Sequence, residues 1–226
     1  MKPAADNTAA DYFGAMAGEY DSLIRRAVPR YDEMTDRLLE YLPPSAASIL
    51  ELGCGTGNLT LKLAAKYPEA KLTLVDAAPE MLEIAKTRLG SRPATFVATT
   101  FESMSFDSAS VDLVASTISL HHVRDKAPLY RALRRMIRAG GTFRFADQMA
   151  GGTKGNHAIN WTRWLEFCRA PGHCTDEEIQ SLLDHAEAHD HYTPVAEHFR
   201  LLEQAGFRHP DCVWRNLIWG IVTAEV

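Results

Sequence analysis

The sequence predicts an α/β protein in which a mainly parallel sheet is covered by helices on both faces. One apolar run, 48–52, leads into a loop with glycine at every second position, 53–57, and then into a helical pattern. Short apolar runs and helical patterns keep alternating afterwards, which is typical of parallel strands joined by crossover helices. The chain has 226 residues, of which 46% are hydrophobic and 23% charged, and this suits one domain with a full-sized core.

The amino-acid composition limits the binding partners and the cellular compartment that we expect for this protein. Lys and Arg number 24 against 29 Asp and Glu, and the net charge of −5 gives no general attraction to nucleic acid or to an anionic membrane. The N-terminal run 1–6 has no apolar signal-peptide core, and the chain lacks the roughly 18 uninterrupted apolar residues of a membrane span. We therefore expect a cytoplasmic protein. The four cysteines form no CxxC pair and are interpreted as reduced thiols, and monomer and homodimer both stay open.

Two helices are predicted before the sheet, over 12–25 and 31–42. In the second helix, Tyr31, Met34 and Leu38 recur at helical spacing. Pro43 and Pro44 end this helix and introduce the first strand, 48–52.

The strand and helix alternation then continues through the middle of the chain. Pro79 occupies the first position of a helix that Gly90 closes. The glycine pair at 140–141 ends the following helix before the fifth strand. The predicted strands are 72–75, 95–98, 111–116 and 142–146, and the predicted helices are 79–89 and 129–138.

A helical insertion follows the fifth strand and interrupts the alternation. Residues 148–192 contain one apolar stripe through Trp161 and Trp164, and a second that begins after the capping box Thr175-x-x-Glu178. A helix over 193–205 and strands over 211–214 and 217–224 complete a sheet of about seven strands. We predict a single domain over 1–226, with N-terminal helices (1–44), an α/β core (45–147 and 193–226) and a helical lid (148–192).

The residues around the glycine loop limit what it can hold. The loop lacks the GK[ST] lysine of a P-loop and the glycine spacing of a dinucleotide site. Glu51, two residues before the first glycine, would repel a pyrophosphate but suits a cationic ligand. Asp76 ends the second strand 19 residues after Gly57, where a carboxylate can accept hydrogen bonds from both ribose hydroxyls. A nucleoside with a charged, non-phosphate tail fits this pattern.

Several ordered motifs resemble those of the class I S-adenosylmethionine (SAM)-dependent methyltransferases. The first motif is Glu51 to Gly57, the second is Val75-Asp76, and the adenine-binding segment is 96–102. The run from Val111 to Val123 is similar to the fourth motif, and 205–207 to the usual end of the last helix. The resemblance is to small-molecule methyltransferases of types 11 and 12 and to a branch that modifies the wobble uridine of tRNA. It implies a Rossmann-like fold with SAM as cofactor.

The resemblance also implies which residues bind SAM. An arginine and a tyrosine of the N-terminal run would reach the SAM carboxylate, and these are Arg26 and Tyr31 here. The cofactor positions that it implies are Arg26, Tyr31, Glu51, Gly53, Cys54, Gly55, Gly57, Asp76, Ala77, Thr100, Phe101 and Ser119.

The exit of the fourth strand is where a residue would face the methyl group in this topology. His122 or His121 is the predicted base, Asp147 at the end of the fifth strand is a second candidate, and each is weighed against a packing role. Tyr20, Trp161 and Trp164 are predicted to bind the acceptor.

The run His185-x-x-x-His189-x-His191 has the helical spacing of metal ligands. Its neighbours Asp184, Glu187 and Asp190 indicate a solvated helix face instead, so no metal is predicted.

The predicted function is methyl transfer from SAM to a small molecule by in-line displacement, with oxygen favoured slightly over nitrogen as the acceptor atom. A tRNA wobble-uridine-modifying transferase and a non-catalytic SAM- or nucleoside-binding protein are the alternatives. The negative net charge speaks against tRNA.

Overall fold

The computed structural model describes residues 8–226, so the expectation for the N-terminal run 1–6 lies outside the described residues. Its strands are β1 (Ser48–Leu52), β2 (Lys71–Asp76), β3 (Ala94–Ala98), β4 (Val111–Thr117), β5 (Ile137–Ala150), β6 (Thr193–Pro194), β7 (Arg208–Asn216) and β8 (Trp219–Glu225). Its helices are α1 (Ala9–Met16), α2 (Tyr20–Ala27), α3 (Tyr31–Glu40), α4 (Asn58–Lys66), α5 (Pro79–Leu89), α6 (Lys126–Met136), α7 (Lys154–Cys168), α8 (Asp176–His189) and α9 (Val195–Ala205).

The strands form one sheet in the order β3-β2-β1-β4-β5-β8-β7, and the two-residue β6 pairs with β5 off this path. The strands β1 to β5 run parallel, whereas β8 pairs antiparallel with both β5 and β7. The strand order reverses between β1 and β4, so the crevice outside their carboxyl ends is where a ligand is expected. The predicted Rossmann-like sheet is confirmed.

Two apolar clusters cover the two faces of the sheet. One cluster joins α3, α4 and the lid tryptophan Trp164 to residues such as Ile49 and Leu113. The other joins α6 and α9 to the alternate residues of the same strands, such as Leu50 and Val114. Neighbouring residues of one strand thus enter opposite clusters, as the two-residue period of a strand requires.

Several predicted boundaries differ from the structure, and β5, for example, extends beyond the predicted 142–146 and contains the glycine pair at 140–141. The segment predicted as one helix over 12–25 is two helices, α1 and α2, with a break at residues 17–19. The helix predicted over 129–138 is α6, which begins at Lys126 because the Asp125 side chain accepts a hydrogen bond from the Ala127 N–H. It ends at Met136 because Ile137 already pairs with Val111 in the sheet.

The lid lies where it was predicted. Helices α7 and α8 fill most of 148–192, and Thr175 and Glu178 form the predicted reciprocal capping box at the start of α8. Within residues 8–226, no helix is long and apolar enough to cross a membrane.

Candidate active site

The glycine loop after β1 has a backbone that other residues would strain. Gly53 has φ +63°, and a Cβ placed on it would lie 2.3 Å from Ser119 Cβ. Gly57 has φ +90° at the N-cap of α4, where a Cβ would lie 3.3 Å from Ala85. The loop packs directly against the exit of β4 and against α5. Neither Gly53 nor Gly57 therefore has room for a side chain.

Asp76 holds this loop to the end of β2. Its Oδ2 accepts a hydrogen bond from the Gly55 N–H at 2.8 Å, and its Oδ1 accepts one from the Ala78 N–H at 2.9 Å. Burial raises the pKa of the Asp76 carboxyl, although these backbone donors act in the opposite direction. Each carboxylate oxygen has a second lone-pair site, so the side chain keeps acceptor capacity for a ligand.

A cavity of about 280 Å³ lies beside the loop. Its wall contains a large share of the predicted cofactor positions, together with two residues predicted for acceptor binding and base catalysis. These wall residues are Gly53, Gly55, Asp76, Ala77, Thr100, Phe101 and Ser119, with Tyr20 and His122. Helix α1 forms a further part of the wall through Ala9, Ala10 and Phe13, which the sequence analysis missed since no motif marks this helix.

Three other predicted cofactor residues support the wall from behind. Cys54 is buried, and its N–H donates to the Val75 carbonyl at 3.0 Å. Gly57 begins α4, and the fully buried Glu51 accepts a hydrogen bond from Thr60 Oγ1 at 2.7 Å. Burial raises the pKa of Glu51 to about 8, against the effect of the Thr60 bond. Glu51 therefore stays protonated at neutral pH before any cation binds.

Arg26 and Tyr31 do not line the cavity. The Arg26 guanidinium forms a two-pronged ion pair with Glu178 of the lid, at 2.7 and 2.6 Å, and donates to the His173 carbonyl at 2.9 Å. Tyr31, the first residue of α3, is buried in the apolar cluster that joins this helix to the sheet. The contact with the SAM carboxylate stays a prediction; in this structure the side chain of Arg26 is directed to the lid.

A second, smaller cavity of about 60 Å³ adjoins the first. The two cavities share Phe13, Tyr20 and Ile118 as wall residues. Trp164 lines the second cavity, and its indole N–H donates to the Ala27 carbonyl at 2.8 Å. Trp161 lines neither of these two cavities and packs against Trp164 with ring centroids 4.7 Å apart, so its contact with the acceptor stays a prediction.

The two predicted bases lie next to each other in the short 3₁₀ turn after β4. His121 Nδ1 is 2.5 Å from Asp147 Oδ1, and the His121 N–H donates to the other carboxylate oxygen at 3.0 Å. Burial disfavours the charged imidazole, but attraction to Asp147 outweighs it and raises the pKa of His121. Burial and the neighbouring His121 lower the pKa of His122 to about 4, although Asp190 acts in the opposite direction. The structure therefore brings all three predicted catalytic residues together, one of them at the cofactor cavity.

Asp190 is a neighbour of this pair that sequence reasoning missed. Its side chain is only 4% exposed, and Oδ1 lies 3.2 Å from His122 Nδ1 and 3.7 Å from both His121 Nε2 and His185 Nε2. The expectation of a solvated face fails here because His185 and Asp190 turn inward from the end of α8. The spacing of the histidine run was visible in the sequence. Only the fold places His185 and Asp190 beside the exit of β4.

Comparison with known proteins agrees with this geometry. A family described as "Methyltransferase domain" matches residues 49–141, which hold the glycine loop, Asp76 and the histidine pair. Over these residues the chain is similar to methyltransferase domains, and its ordered motifs resemble those of class I SAM-dependent methyltransferases, so the site fits SAM as the cofactor. The excluded Cβ at Gly53 and the Asp76 carboxylate on the cavity wall fit a nucleoside that approaches the backbone closely. SAM, when bound, supplies an electrophilic methyl group.

Two relatives are malonyl-[acyl-carrier protein] O-methyltransferases. The protein of Anoxybacillus flavithermus is 46% identical over 70 residues, 31% of this chain and 27% of that protein. The protein of Hahella chejuensis is 30% identical over 132 residues, 58% of this chain and 46% of that protein. The match thus spans less than half the length of these relatives.

Among solved structures, a methyltransferase from Haloferax volcanii, in complex with the activator Trm112, has the same fold. It superposes with a TM-score of 0.71 at 17% identity, over 94% of this chain and 96% of that chain.

Proposed function

We propose that the protein transfers the methyl group of SAM to an oxygen atom of a small-molecule acceptor bound in the second cavity. The observation that carries this proposal is that the cofactor cavity and the second cavity share Phe13, Tyr20 and Ile118 as a common boundary. A group in the second cavity therefore meets the cofactor across this boundary.

Position contributes most of the expected rate enhancement. Alignment of two reactants in a fixed geometry can lower a barrier by roughly 7–11 kcal/mol without a catalytic side chain. Tyr20 lines both cavities and Trp164 lines the second, so the two are suited to orient the acceptor. Helices α1 and α8 contribute residues to the walls of the two cavities.

An acceptor hydroxyl must also lose its proton. The cluster of His121, His122, Asp147 and Asp190 lies at the boundary of the two cavities, since His122 lines the first and His121 the second. We propose that this cluster activates the acceptor oxygen. A group that does so is worth typically about 10²–10⁴-fold in rate.

Oxygen as the acceptor atom agrees with the names of the two O-methyltransferase relatives. The tRNA alternative would need free cations at the surface, and α6 carries the densest group of arginines. Arg134 of this helix donates to the Gly206 carbonyl, and Arg138, which follows it in β5, pairs with Asp112. A cytoplasmic location and a single domain over 1–226 complete the proposal.

Methyl transfer from radiolabelled SAM tests the proposed function. The full chain is incubated separately with a metabolite extract, with malonyl-loaded acyl carrier protein and with bulk tRNA. Label in the metabolite fraction is expected, whereas label in tRNA alone would overturn the small-molecule proposal. Label that is stable to mild alkali would count against a methyl ester. Absence of label from all three, with SAM bound, would favour a binding protein.

The His122→Ala variant tests the cluster with the acceptor thus found. We expect turnover to fall at least a hundredfold and SAM affinity to change less than threefold. His189→Ala is the matched control, since His189 lies on α8 but its ring faces neither cavity. Equal turnover in the two variants would assign His122 to packing.

A further inference from the structure

The cluster at the boundary of the two cavities has a geometry that proton transfer alone does not require. Asp190 Oδ1 lies 3.2 Å from His122 Nδ1, 3.7 Å from His121 Nε2 and 3.7 Å from His185 Nε2. One ligand atom each from His121, His122 and Asp190 lies within 4.8 Å of the other two. The donor atoms of three side chains from two distant segments thus point to one small volume.

These atoms are not satisfied by one another. His122 Nδ1 and Asp190 Oδ1 lie 3.2 Å apart and are both buried, and within residues 8–226 neither atom has a hydrogen bond of good geometry. Both ring nitrogens of His185 are also buried and have no hydrogen-bond partner among the described residues. Burial of polar atoms without good partners is costly, so an ion that binds at this point would explain why the arrangement persists.

We propose that His121, His122 and Asp190 form a binding site for a divalent transition-metal ion of the Zn²⁺ or Fe²⁺ class. Two imidazoles and one carboxylate with open positions are a typical donor set for such ions. Ligand atoms about 2.0–2.2 Å from a tetrahedral metal lie about 3.4 Å apart, close to the separations found here. His185 is a fourth candidate donor that would need a small shift, since it lies outside the three-residue group.

The surroundings of the ligands are those of a metal site. Ligating histidines usually donate their second N–H to a carboxylate, and His121 Nδ1 lies 2.5 Å from Asp147 Oδ1. The ligating carboxylate is itself held, because Tyr192 donates to Asp190 Oδ2 at 2.5 Å. These two contacts fix the ring of His121 and the plane of the carboxylate.

The position of the site gives the metal a role. His122 lines the cofactor cavity, whereas His121 and Asp190 line the second cavity. A metal held between them would bind and polarise an acceptor oxygen as a Lewis acid. This role rests on the proposed methyl transfer; the metal site itself does not.

Metal binding is measured on the full chain without SAM. The protein is stripped with a chelator, dialysed and titrated with Zn²⁺ by calorimetry, with Co²⁺ absorption as a second probe of ligand geometry. We expect one equivalent per chain in the unmodified protein. His122→Gln and Asp190→Asn should each weaken binding at least a hundredfold, and Zn²⁺ should raise the melting temperature of the unmodified chain only. Circular dichroism and a melting curve recorded without metal show that these variants fold.

His189→Ala separates this site from the helical pair His185 and His189, whose spacing alone could hold a metal at the surface. Unchanged binding in this variant supports the inference. Loss of binding there, survival of binding in His122→Gln and Asp190→Asn, or less than 0.2 equivalent of metal in the unmodified chain would overturn it. Methyl transfer that persists in the stripped protein would refute the metal role while leaving the proposed function intact.

Discussion

Glu51 is a buried acid directly below the glycine loop. Its Oε2 accepts from Thr60, whereas its Oε1 is buried without a partner. Burial raises its pKa to about 8, so the folded protein binds a proton there that the unfolded chain releases near its ordinary value of 4.5. Between these two values, the free energy of unfolding must fall as pH rises, because only the folded state still holds the proton.

The Glu51→Gln variant should remove this dependence. A difference of one bound proton between the folded and unfolded states changes the free energy of unfolding by about 1.4 kcal/mol per pH unit. From pH 6 to pH 8, the free energy of unfolding of the unmodified chain should therefore fall by about 2 kcal/mol more than that of the variant. Urea unfolding at the two values measures the difference. Glu69→Gln, at an exposed position, is the control and should keep the original dependence. Parallel pH dependences for the unmodified chain and Glu51→Gln would show that Glu51 ionises normally.

At the scale of one element, the glycine loop combines backbone strain with close packing. Gly53 (φ +63°) and Gly90 (φ +64°) both have a positive φ that an L-residue rarely adopts. A Cβ on Gly53 would lie 2.3 Å from Ser119 Cβ, whereas a Cβ on Gly90 has nothing within 4 Å. The two positions therefore share the strain but not the collision with the cavity wall.

Gly53→Ala should lower SAM affinity at least tenfold, because Ser119 must leave the wall to make room. Gly90→Ala should cost about 1–3 kcal/mol of stability through its backbone alone and leave SAM affinity unchanged. Calorimetric titration with SAM, beside a melting curve of each variant, separates the two effects. Wild-type affinity in Gly53→Ala would show that the cofactor does not approach this loop.

The lid is joined to the N-terminal helices by the ion pair between Arg26 and Glu178. Both side chains are about a third exposed, so the pair contributes at most about 1 kcal/mol. Arg26→Ala should leave SAM affinity within twofold and speed proteolysis of α8, and Glu178→Gln should do the same. The double variant should add little to either single change. A tenfold loss of SAM affinity in Arg26→Ala alone would support the role that the family resemblance implied.

At the scale of the molecule, local patterns predicted the strands and their parallel core, whereas the residues expected at the cofactor came from the family resemblance. The capping box at Thr175 and the proline at the start of α5 are short-range signals, and both elements begin as predicted. Contacts between distant segments were not predictable from one sequence. Arg26 meets Glu178 across 152 positions, and Asp190 meets the histidine pair only because the lid folds over the carboxyl edge of the sheet.

Helix α1 is the part of the fold whose order should depend most on the cofactor. None of its side chains is fully buried, and its main packing contacts are with α5 and α8. Ala9, Ala10 and Phe13 of this helix line the cofactor cavity. A helix with so little buried surface opens at low cost in free energy. A ligand that fills the cavity should therefore hold it closed.

Hydrogen exchange of the full chain, with and without S-adenosylhomocysteine, measures this closure. A ligand at a hundred times its dissociation constant stabilises the bound form by about 2.7 kcal/mol, which sets a ceiling of about a hundredfold on the slowing of exchange. We expect amides of α1 to slow by about tenfold or more. Those of α6, on the far face of the sheet and outside both cavities, should not change. Equal slowing in both helices would mean that the ligand stabilises the whole chain, and no slowing in α1 would mean that this helix does not cover the cofactor.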